Sequence, residues 1–468
     1  MMGKLQPYTE YKGSKVSWLN KMPNHWEIDP GLAAFSTKKE KNIGLKETTV
    51  LSLSYGRIVV KPPEKLHGLV PESFETYQIV NPGDIIIRST DLQNDWNSLR
   101  VGLVEDRGII TSAYICLKTK ERMIPAYCHL LLHSYDLMKI FYGMGSGLRQ
   151  NLDWPDFKRL PVLIPPIDEQ KTIVSFIKMM SKKIARFIKT KKRLIEVLKE
   201  QKQVIINHAV TKGIDPNVKL KPSSVDYLGD IPEHWEVKPL KHWVKINNQT
   251  LTDTTDPDYG FDYLDIGSVS TGFLSKTPEH IFFRNAPSRA RRVLQKGDTI
   301  ISTVRTYLKA IYFIENENNN LIASTGFAVL TPRKNVYPKL LSYIMQSKPF
   351  IDKVTANSIG IAYPAIAETR LAAFHIAVPT AVEEQVNIVN KIETESASID
   401  VAIKRALNEI ELLHEYRTRL IADVVTGKVD VQDIPVEPVE DIEEIEELEE
   451  IQEGEELTEL QEVTDADD

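Results

Sequence analysis

The chain is written twice. Residues 14–28, SKVSWLNKMPNHWEI, return as residues 223–237, SSVDYLGDIPEHWEV, so that Val16, Leu19, Pro23, His25, Trp26 and Glu27 recur as Val225, Leu228, Pro232, His234, Trp235 and Glu236 at a constant offset of 209. Gly83, Asp84, Ile86 and Ile87 answer to Gly297, Asp298, Ile300 and Ile301 at offset 214. Glu169, Gln170, Ile173, Val174 and Ile177 answer to Glu384, Gln385, Ile388, Val389 and Ile392 at offset 215. A period of 20 to 50 residues would indicate a solenoid. A period near 210 with its landmarks in unchanged order indicates a duplicated domain.

Each copy has two textures. Residues 30–164 and 239–379 mix short β-rich runs (VLSLSYG, GDIIIRS, DTIISTV, TGFAVLT) with polar loops, the pattern of an α+β globule. Residues 168–211 and 383–426 contain no proline, lack internal glycine and repeat apolar residues at spacings of four and three. A heptad seam in the first of these takes Ile173, Ile177, Met180, Ile184, Phe187, Leu194, Leu198 and Ile205. In the second it takes Ile388, Ile392, Ile399, Ala402, Ala406, Leu413, Tyr416 and Leu420. Residues 168–202 hold 11 basic and 4 acidic side chains, whereas 383–417 hold 4 basic and 8 acidic. Opposite charge favours the two helices of one chain meeting each other; packing of each helix on its own domain or on a partner stays open, and the pattern does not tell parallel from antiparallel. The expected division is a recognition domain over 1–164, a spacer helix over 165–213, a second recognition domain over 214–380, a second spacer helix over 381–428 and an acidic, disordered tail over 429–468.

Divided along the chain, the charge is consistent with polyanion binding, although its sign alone names no partner. The whole carries a formal −7, but residues 429–468 hold 19 acidic and no basic side chains, which leaves 58 basic against 46 acidic in the body. The tail composition is that of a segment that stays unfolded. Two isolated cysteines, Cys116 and Cys128, are too few for a disulfide framework or a zinc site of ordinary ligand count. No apolar run reaches the ~18 residues of a membrane span, and no secretory leader is visible, so a cytoplasmic protein is expected. A GxxxxGK[ST] loop, an HExxH pair and the Asn/Asp-Pro-Pro-aromatic tetrapeptide that holds a flipped adenine are all missing from the sequence.

The segments GIDPNVKLKPSSVDYLGDIPEHWEV, LIPPIDEQ, STVRTYLKAIYF with ASTGFAVLTP, and LIADVVTGKVDV, in this order and on the duplicated plan, resemble the specificity subunits of Type I restriction-modification systems over residues 8–432. The resemblance implies two target-recognition domains held apart by an antiparallel pair of long helices. It also implies sequence-specific reading of a split duplex DNA site and no catalysis by this chain. Chemistry would come from partners: two methylation subunits that use S-adenosylmethionine on adenine, and two restriction subunits that use ATP and Mg2+. A 44-residue helix rises about 66 Å, and half-sites roughly 34 to 36 Å apart present the same groove face to two readers. A protein-interaction scaffold is the alternative, and a specificity subunit of a methyltransferase without restriction is a further one.

Affinity for duplex DNA comes largely from Lys and Arg on phosphates, and specificity from Arg, Lys, Asn, Gln and hydroxyls on base edges. The densest candidate stretch is 284–309, where Arg284, Arg289, Arg291, Arg292, Lys296, Arg305 and Lys309 stand against Asp298 alone, with Ser302, Thr303 and Tyr307 beside them. The corresponding stretch of the first copy is RSTDLQNDWNSLR, with Arg88, Ser89, Gln93, Asn94, Asn97 and Arg100 as candidate contacts. A third candidate is GSGLRQNL, residues 145–152, whose glycines permit close backbone approach and whose Arg149, Gln150 and Asn151 supply donors. The repeated pairs His25–Trp26 and His234–Trp235 are read as structural anchors.

Overall fold

A computed structural model describes residues 5–62, 73–96, 99–144, 151–317, 320–361 and 363–435. They fall into two compact units, the first built from residues 5–189 and 409–435 and the second from 190–408. Each unit repeats the other's plan. In the first, an antiparallel sheet runs in the order Phe35–Thr37, Ile115–Thr119, Ile85–Ile87, Val101–Leu103. In the second, the order is Val244–Ile246, Phe327–Pro332, Thr299–Ser302, Ile311–Phe313. The inner strand Ile85–Ile87 is buried at every position and so is Thr299–Ser302, which explains why these runs are continuously apolar or small rather than alternating. Each strand is entered through a Gly-Asp turn. Gly83 and Gly297 take φ of 89° and 90°, and the following carboxylates, Asp84 and Asp298, accept the N–H groups of Asn81 and Gln295.

The second unit carries a further four-stranded sheet, Glu279–Phe282, Gly260–Leu264, Leu321–Ser324, Ala290–Val293, with its middle pair parallel. The first unit has a reduced version, the pair Gln78–Val80 and Gly108–Ile110 with a parallel bridge from Val50 to Ile109.

Two long helices, α1 (Ile167–Lys212) and α2 (Val382–Val425), each contribute to both units. Both begin with paired acids, Asp168–Glu169 and Glu383–Glu384, which suit the positive end of the helix dipole. The core of the first unit takes in Ile173, Phe176, Ile177 and Met180 from the start of α1 and Leu420, Val424 and Val425 from the end of α2. The core of the second takes in Ile206, Ala209 and Val210 from the end of α1 and Ile388, Val389 and Ile392 from the start of α2.

The heptad register expected for α1 does not hold past Ile184. Phe187 and Leu194 are exposed, and Ile188 and Ile195 are buried in their place. Ile173, Ile184, Ile195 and Ile206 are all buried and lie 11 residues apart, a repeat of about 3.67 residues per turn. A straight helix of about 3.6 residues per turn drifts off a strict heptad by ~20° per repeat, so over 46 residues the buried stripe leaves the heptad positions. In α2, Ile392, Ile399, Ala406 and Leu420 stay on the heptad, but Tyr416 is exposed.

The acidic segment also begins later than its composition suggests. Val431 is fully buried in the first core, and the Asp430 N–H donates to the Gln6 carbonyl at 2.8 Å. Residues 436–468 lie outside the described residues. No helix among the described residues is long and apolar enough to cross a membrane.

One consequence of the packing is a pH response confined to the first unit. His129 and His133 stand one turn apart on the helix Pro125–Leu137 with ring centroids 6.0 Å apart, and burial pushes both imidazoles down to about 4. Between that value and the ordinary one of 6.5 the unfolded chain binds protons that the folded chain refuses. Stability is therefore full above about pH 6.5 and declines as pH falls toward 4, by up to about 1.4 kcal/mol per pH unit for each imidazole. Thermal melting between pH 7 and pH 5 is expected to show this loss, and the double variant His129→Gln/His133→Gln to lack it. A wild-type profile as flat as the variant's would refute the assignment.

Candidate nucleic-acid interface

Each unit ends its buried inner strand in a loop that is clasped by a second loop. In the first unit the Arg88 N–H donates to the Arg100 carbonyl at 2.8 Å, closing residues 88–100 at their base. The Leu152 N–H then reaches the Ser89 carbonyl at 2.8 Å, and the Asp91 N–H reaches Asn151 Oδ1 at 2.9 Å. In the second unit the Ser302 N–H donates to the Ala310 carbonyl at 2.9 Å, and the Ile366 N–H reaches the Thr303 carbonyl at 2.8 Å. Asp91 and Arg305 occupy equivalent positions and share left-handed backbone, with φ of 60° and 51°. A non-glycine residue held there marks a backbone fixed by its surroundings.

The first loop is four residues longer between its closing pairs, and Arg100 holds the extra chain. Its Nη1 donates to the carbonyls of Arg88 and Thr90 at 3.2 and 2.7 Å, and its Nη2 to those of Asp91 and Asp95 at 3.2 and 2.6 Å. Nε donates to the Tyr142 hydroxyl at 3.1 Å. All five guanidinium donors are thereby used, and the residue is fully buried. Arg100, expected to contact DNA, is instead the internal brace of the loop. Its counterpart Ala310 needs no such role, because the shorter loop closes through a single 3-10 turn, Thr306–Leu308.

Three more candidates face inward. Ser89, Ser302 and Thr303 are buried. The Ser89 hydroxyl donates to the Ala113 carbonyl, and the Thr303 hydroxyl to the Gly326 carbonyl at 2.9 Å. These positions lie at the inner strands' ends, where the side chains are buried.

The remaining first-unit candidates face solvent or the loop rim. Gln93 and Asn94 are exposed, and the Asn94 amide donates to Asp91 Oδ1 at 2.7 Å. Arg88 is half-buried, with Nη2 3.3 Å from Asp95 Oδ2. Asn151 is exposed. Between them stands the exposed Trp96, stacked on Tyr142 at 4.6 Å, with Lys139 Nζ 4.8 Å from the Tyr142 ring centre. Asn97, Arg149 and Gln150 lie outside the described residues.

The basic run of the second unit divides. Arg284 pairs with Asp258 at 2.5 Å, and Arg291 lies 3.3 Å from Asp253 with its guanidinium 4.8 Å from the Phe283 ring centre. Arg292 is largely buried and bonded to Glu368 at 2.6 Å, which makes it a structural ion pair. Lys296 is exposed, but it precedes the strand Thr299–Ser302 while the loop follows it, about 13 Å of extended chain away. Arg305 and Lys309 belong to the loop itself. Arg289 adjoins it, since its carbonyl accepts the Thr325 N–H at 2.8 Å and the Gly326 carbonyl accepts the Thr303 N–H at 2.7 Å. Tyr307 and Lys309 are exposed and Arg305 is half-buried.

The repeated His-Trp pairs anchor the segments around residues 25–26 and 234–235 to the starts of the long helices. Glu169 accepts from Trp26 Nε1 at 3.0 Å, from the Tyr8 hydroxyl at 2.6 Å and from His25 Nε2 at 2.8 Å. Burial and this carboxylate push the Tyr8 phenol far up, so it remains a donor. Glu384 is met likewise by Trp235 Nε1 at 2.9 Å and His234 Nε2 at 2.8 Å. The fully buried Gln170 accepts from the Ile124 N–H and donates to the carbonyls of Arg122 and Pro165; Gln385 repeats this with Tyr337, Asn335 and Pro379. The His-Trp pairs are thus tethers of the helix starts. Among the described residues no group of three or more His, Cys, Asp or Glu is placed to hold a metal ion.

A duplicated α+β unit that displays matched loop pairs with different side chains has the plan of a two-headed recognition protein. Comparison with known proteins agrees. The family model for the Type I restriction modification DNA specificity domain matches residues 57–199 and 232–412. The Type I restriction enzyme MjaVIII specificity subunit of Methanocaldococcus jannaschii is 24% identical over 367 residues, spanning 75% of this chain and 82% of its own. A putative Type I restriction enzyme MjaX specificity subunit from the same organism is 23% identical over 449 residues, 92% of this chain and 99% of its own. A chain solved in work on complex assembly and conformational transition of the type I R-M system matches at a TM-score of 0.57 and 15% identity, covering 87% of this chain and 99% of that one, a likeness of fold. The chain belongs to the Type I restriction modification DNA specificity domain family. Its function is sequence-specific recognition of DNA as a specificity subunit.

Proposed function

We propose that this chain reads a bipartite duplex DNA site, one half with the first unit's loops (88–100 with 151–152) and the other half with the second unit's (303–309 with 358–366). The observation that carries this reading is the recurrence of one loop pair, bonded at matching points, with different side chains at its surface. Gln93, Asn94 and Asn151 are amides of the kind that read adenine edges, with Arg88 at the rim and Asn97, Arg149 and Gln150 adjoining them in sequence. Arg289, Arg305, Tyr307 and Lys309 serve the second half, and Lys296 and Arg291 contact phosphate further out. Two chemically different readers make the target asymmetric.

In this reading α1 and α2 pair antiparallel. The start of one and the end of the other share each unit's core, and within the second unit basic α1 meets acidic α2 through Lys202 and Asp400 at 2.6 Å. The chain catalyses nothing and binds no cofactor. It directs two methylation subunits, which use S-adenosylmethionine on adenine, and two restriction subunits, which use ATP and Mg2+. The exposed apolar residues Phe187, Leu412 and Tyr416 on the first unit's helix segments are suited to docking such subunits.

The test is to purify the chain with its methylation subunit, map modified adenines in host DNA and measure binding to the deduced site. One asymmetric split sequence with an unread spacer is expected, bound with an affinity that falls steeply with salt. Binding without sequence preference at any salt concentration would sink the proposal.

A further inference from the structure

The second unit's loop pair bears an apolar tip. Ile359 and Ile361 are 78% and 105% exposed, and Tyr307 and Tyr363 beside them are also exposed. Scattered surface apolar residues need no explanation, but several gathered on one projecting loop do. The loop under them is held by hydrogen bonds. Ile359 and Ala365 exchange N–H donors at 2.8 and 2.9 Å, the Thr306 N–H donates to the Pro364 carbonyl at 3.3 Å, and the Thr306 and Ser358 hydroxyls are 2.7 Å apart. Gly360 turns the chain at φ 124°, where a Cβ would lie 2.9 Å from the Tyr363 carbonyl oxygen, so the tight turn requires glycine. The Arg305 guanidinium lies 4.8 Å from the Tyr363 ring centre, which sets beside the tip a cation suited to phosphate, and Lys309 is exposed farther along Arg305's loop.

An isoleucine side chain forms no hydrogen bond, so it distinguishes base pairs only by what it packs against. In the major groove the apolar group that separates one base pair from another is the thymine C5-methyl. We propose that Ile361, backed by Ile359 and Tyr363, is a specificity-determining residue that packs on a thymine methyl in the second unit's half-site. This rests on the reading that the loop pair faces DNA.

The experiment uses the chain in complex with its methylation subunit and duplexes in which each thymine of the mapped site is replaced in turn by deoxyuridine, which pairs alike but lacks the methyl. At one thymine the substitution is expected to weaken wild-type binding about fourfold, the worth of one buried methyl group. Ile361→Ala is expected to bind the natural site about as weakly and to be indifferent to deoxyuridine there. Because Ile361 is fully solvated, the variant should melt as wild type does, and Ile361→Ser provides a second check. A flat deoxyuridine scan with specific binding intact overturns the methyl contact alone. So does an Ile361→Ala complex that still prefers thymine, or one that loses affinity equally for all DNA. Absence of specific binding by the wild type overturns the split-site reading and this inference with it.

Discussion

Replacing Arg100 with leucine is expected to melt the loop of residues 88–100 while leaving the loop of residues 303–309 intact. The guanidinium supplies donors to four loop carbonyls and the Tyr142 hydroxyl in a fully buried setting. Leucine fills part of the volume but strands acceptors that cost about 1–3 kcal/mol each when unsatisfied, and water entering the opened loop recovers some of this. A net loss of about 3–5 kcal/mol follows, which corresponds to roughly 10 °C in the first unit's melting. Hydrogen exchange across residues 88–100 should rise sharply, and discrimination should vanish at one half-site only. Lysine should not rescue, having three donors and no planar fork. If the variant retains wild-type exchange protection in this loop, the bracing role is wrong.

The second large effect is expected at the glutamines that open the long helices. Gln385→Leu leaves the Tyr337 N–H and the carbonyls of Asn335 and Pro379 without partners in a buried place, and Gln170→Leu does the same in the first unit. Each should cost about 3–5 kcal/mol by the same arithmetic. The two variants should differ in where the damage appears: exchange rises around residues 122–124 and 165 for Gln170→Leu, and around 335–337 and 379 for Gln385→Leu. DNA affinity is expected to fall in both, because each unit loosens where residues 122–124 and 165, or 335–337 and 379, are held to the helix start. Equal and global unfolding by either variant would contradict two separately anchored units.

Much of this architecture was legible in residue order. The duplication is visible because the tethers are made of rare types: a Trp beside a His, and a Glu beside a Gln, whose bonding needs no substitute tolerates. The Gly-Asp turns before the inner strands are visible for the same reason. On α1 the sequence admits two stripes, since Phe187 and Leu194 satisfy a strict seven-residue rule as well as Ile188 and Ile195 satisfy the eleven-residue one. The choice was made by drift along a straight helix. Val431 was hidden by its acidic surroundings, although it closes the first core.

The candidate site was legible as a place more than as a set of contacts. Residue order shows loops rich in Arg, Asn and Gln at the ends of the inner strands, but composition does not say which way a side chain turns. Arg100 looked like its neighbour Arg88, and the one available signal was the repeat, which sets Ala310 opposite it. Arg292 turned inward to Glu368, a partner 76 residues away. Ile359 and Ile361 carry no such signal in the sequence, because isoleucine usually indicates core.

What the sequence by itself determined is the duplication, the α+β and long-helix textures, the repeated His-Trp anchors and the family to which the chain belongs, all of which depend on local patterns or on rare residues repeated in order. What only the tertiary structure decided is which cations brace a loop and which remain at its surface, where the stripe on α1 runs, and that an apolar tip projects from the second unit. Those outcomes depend on whether acceptors from distant parts of the chain gather around a given side chain, and that is settled only when the chain has folded.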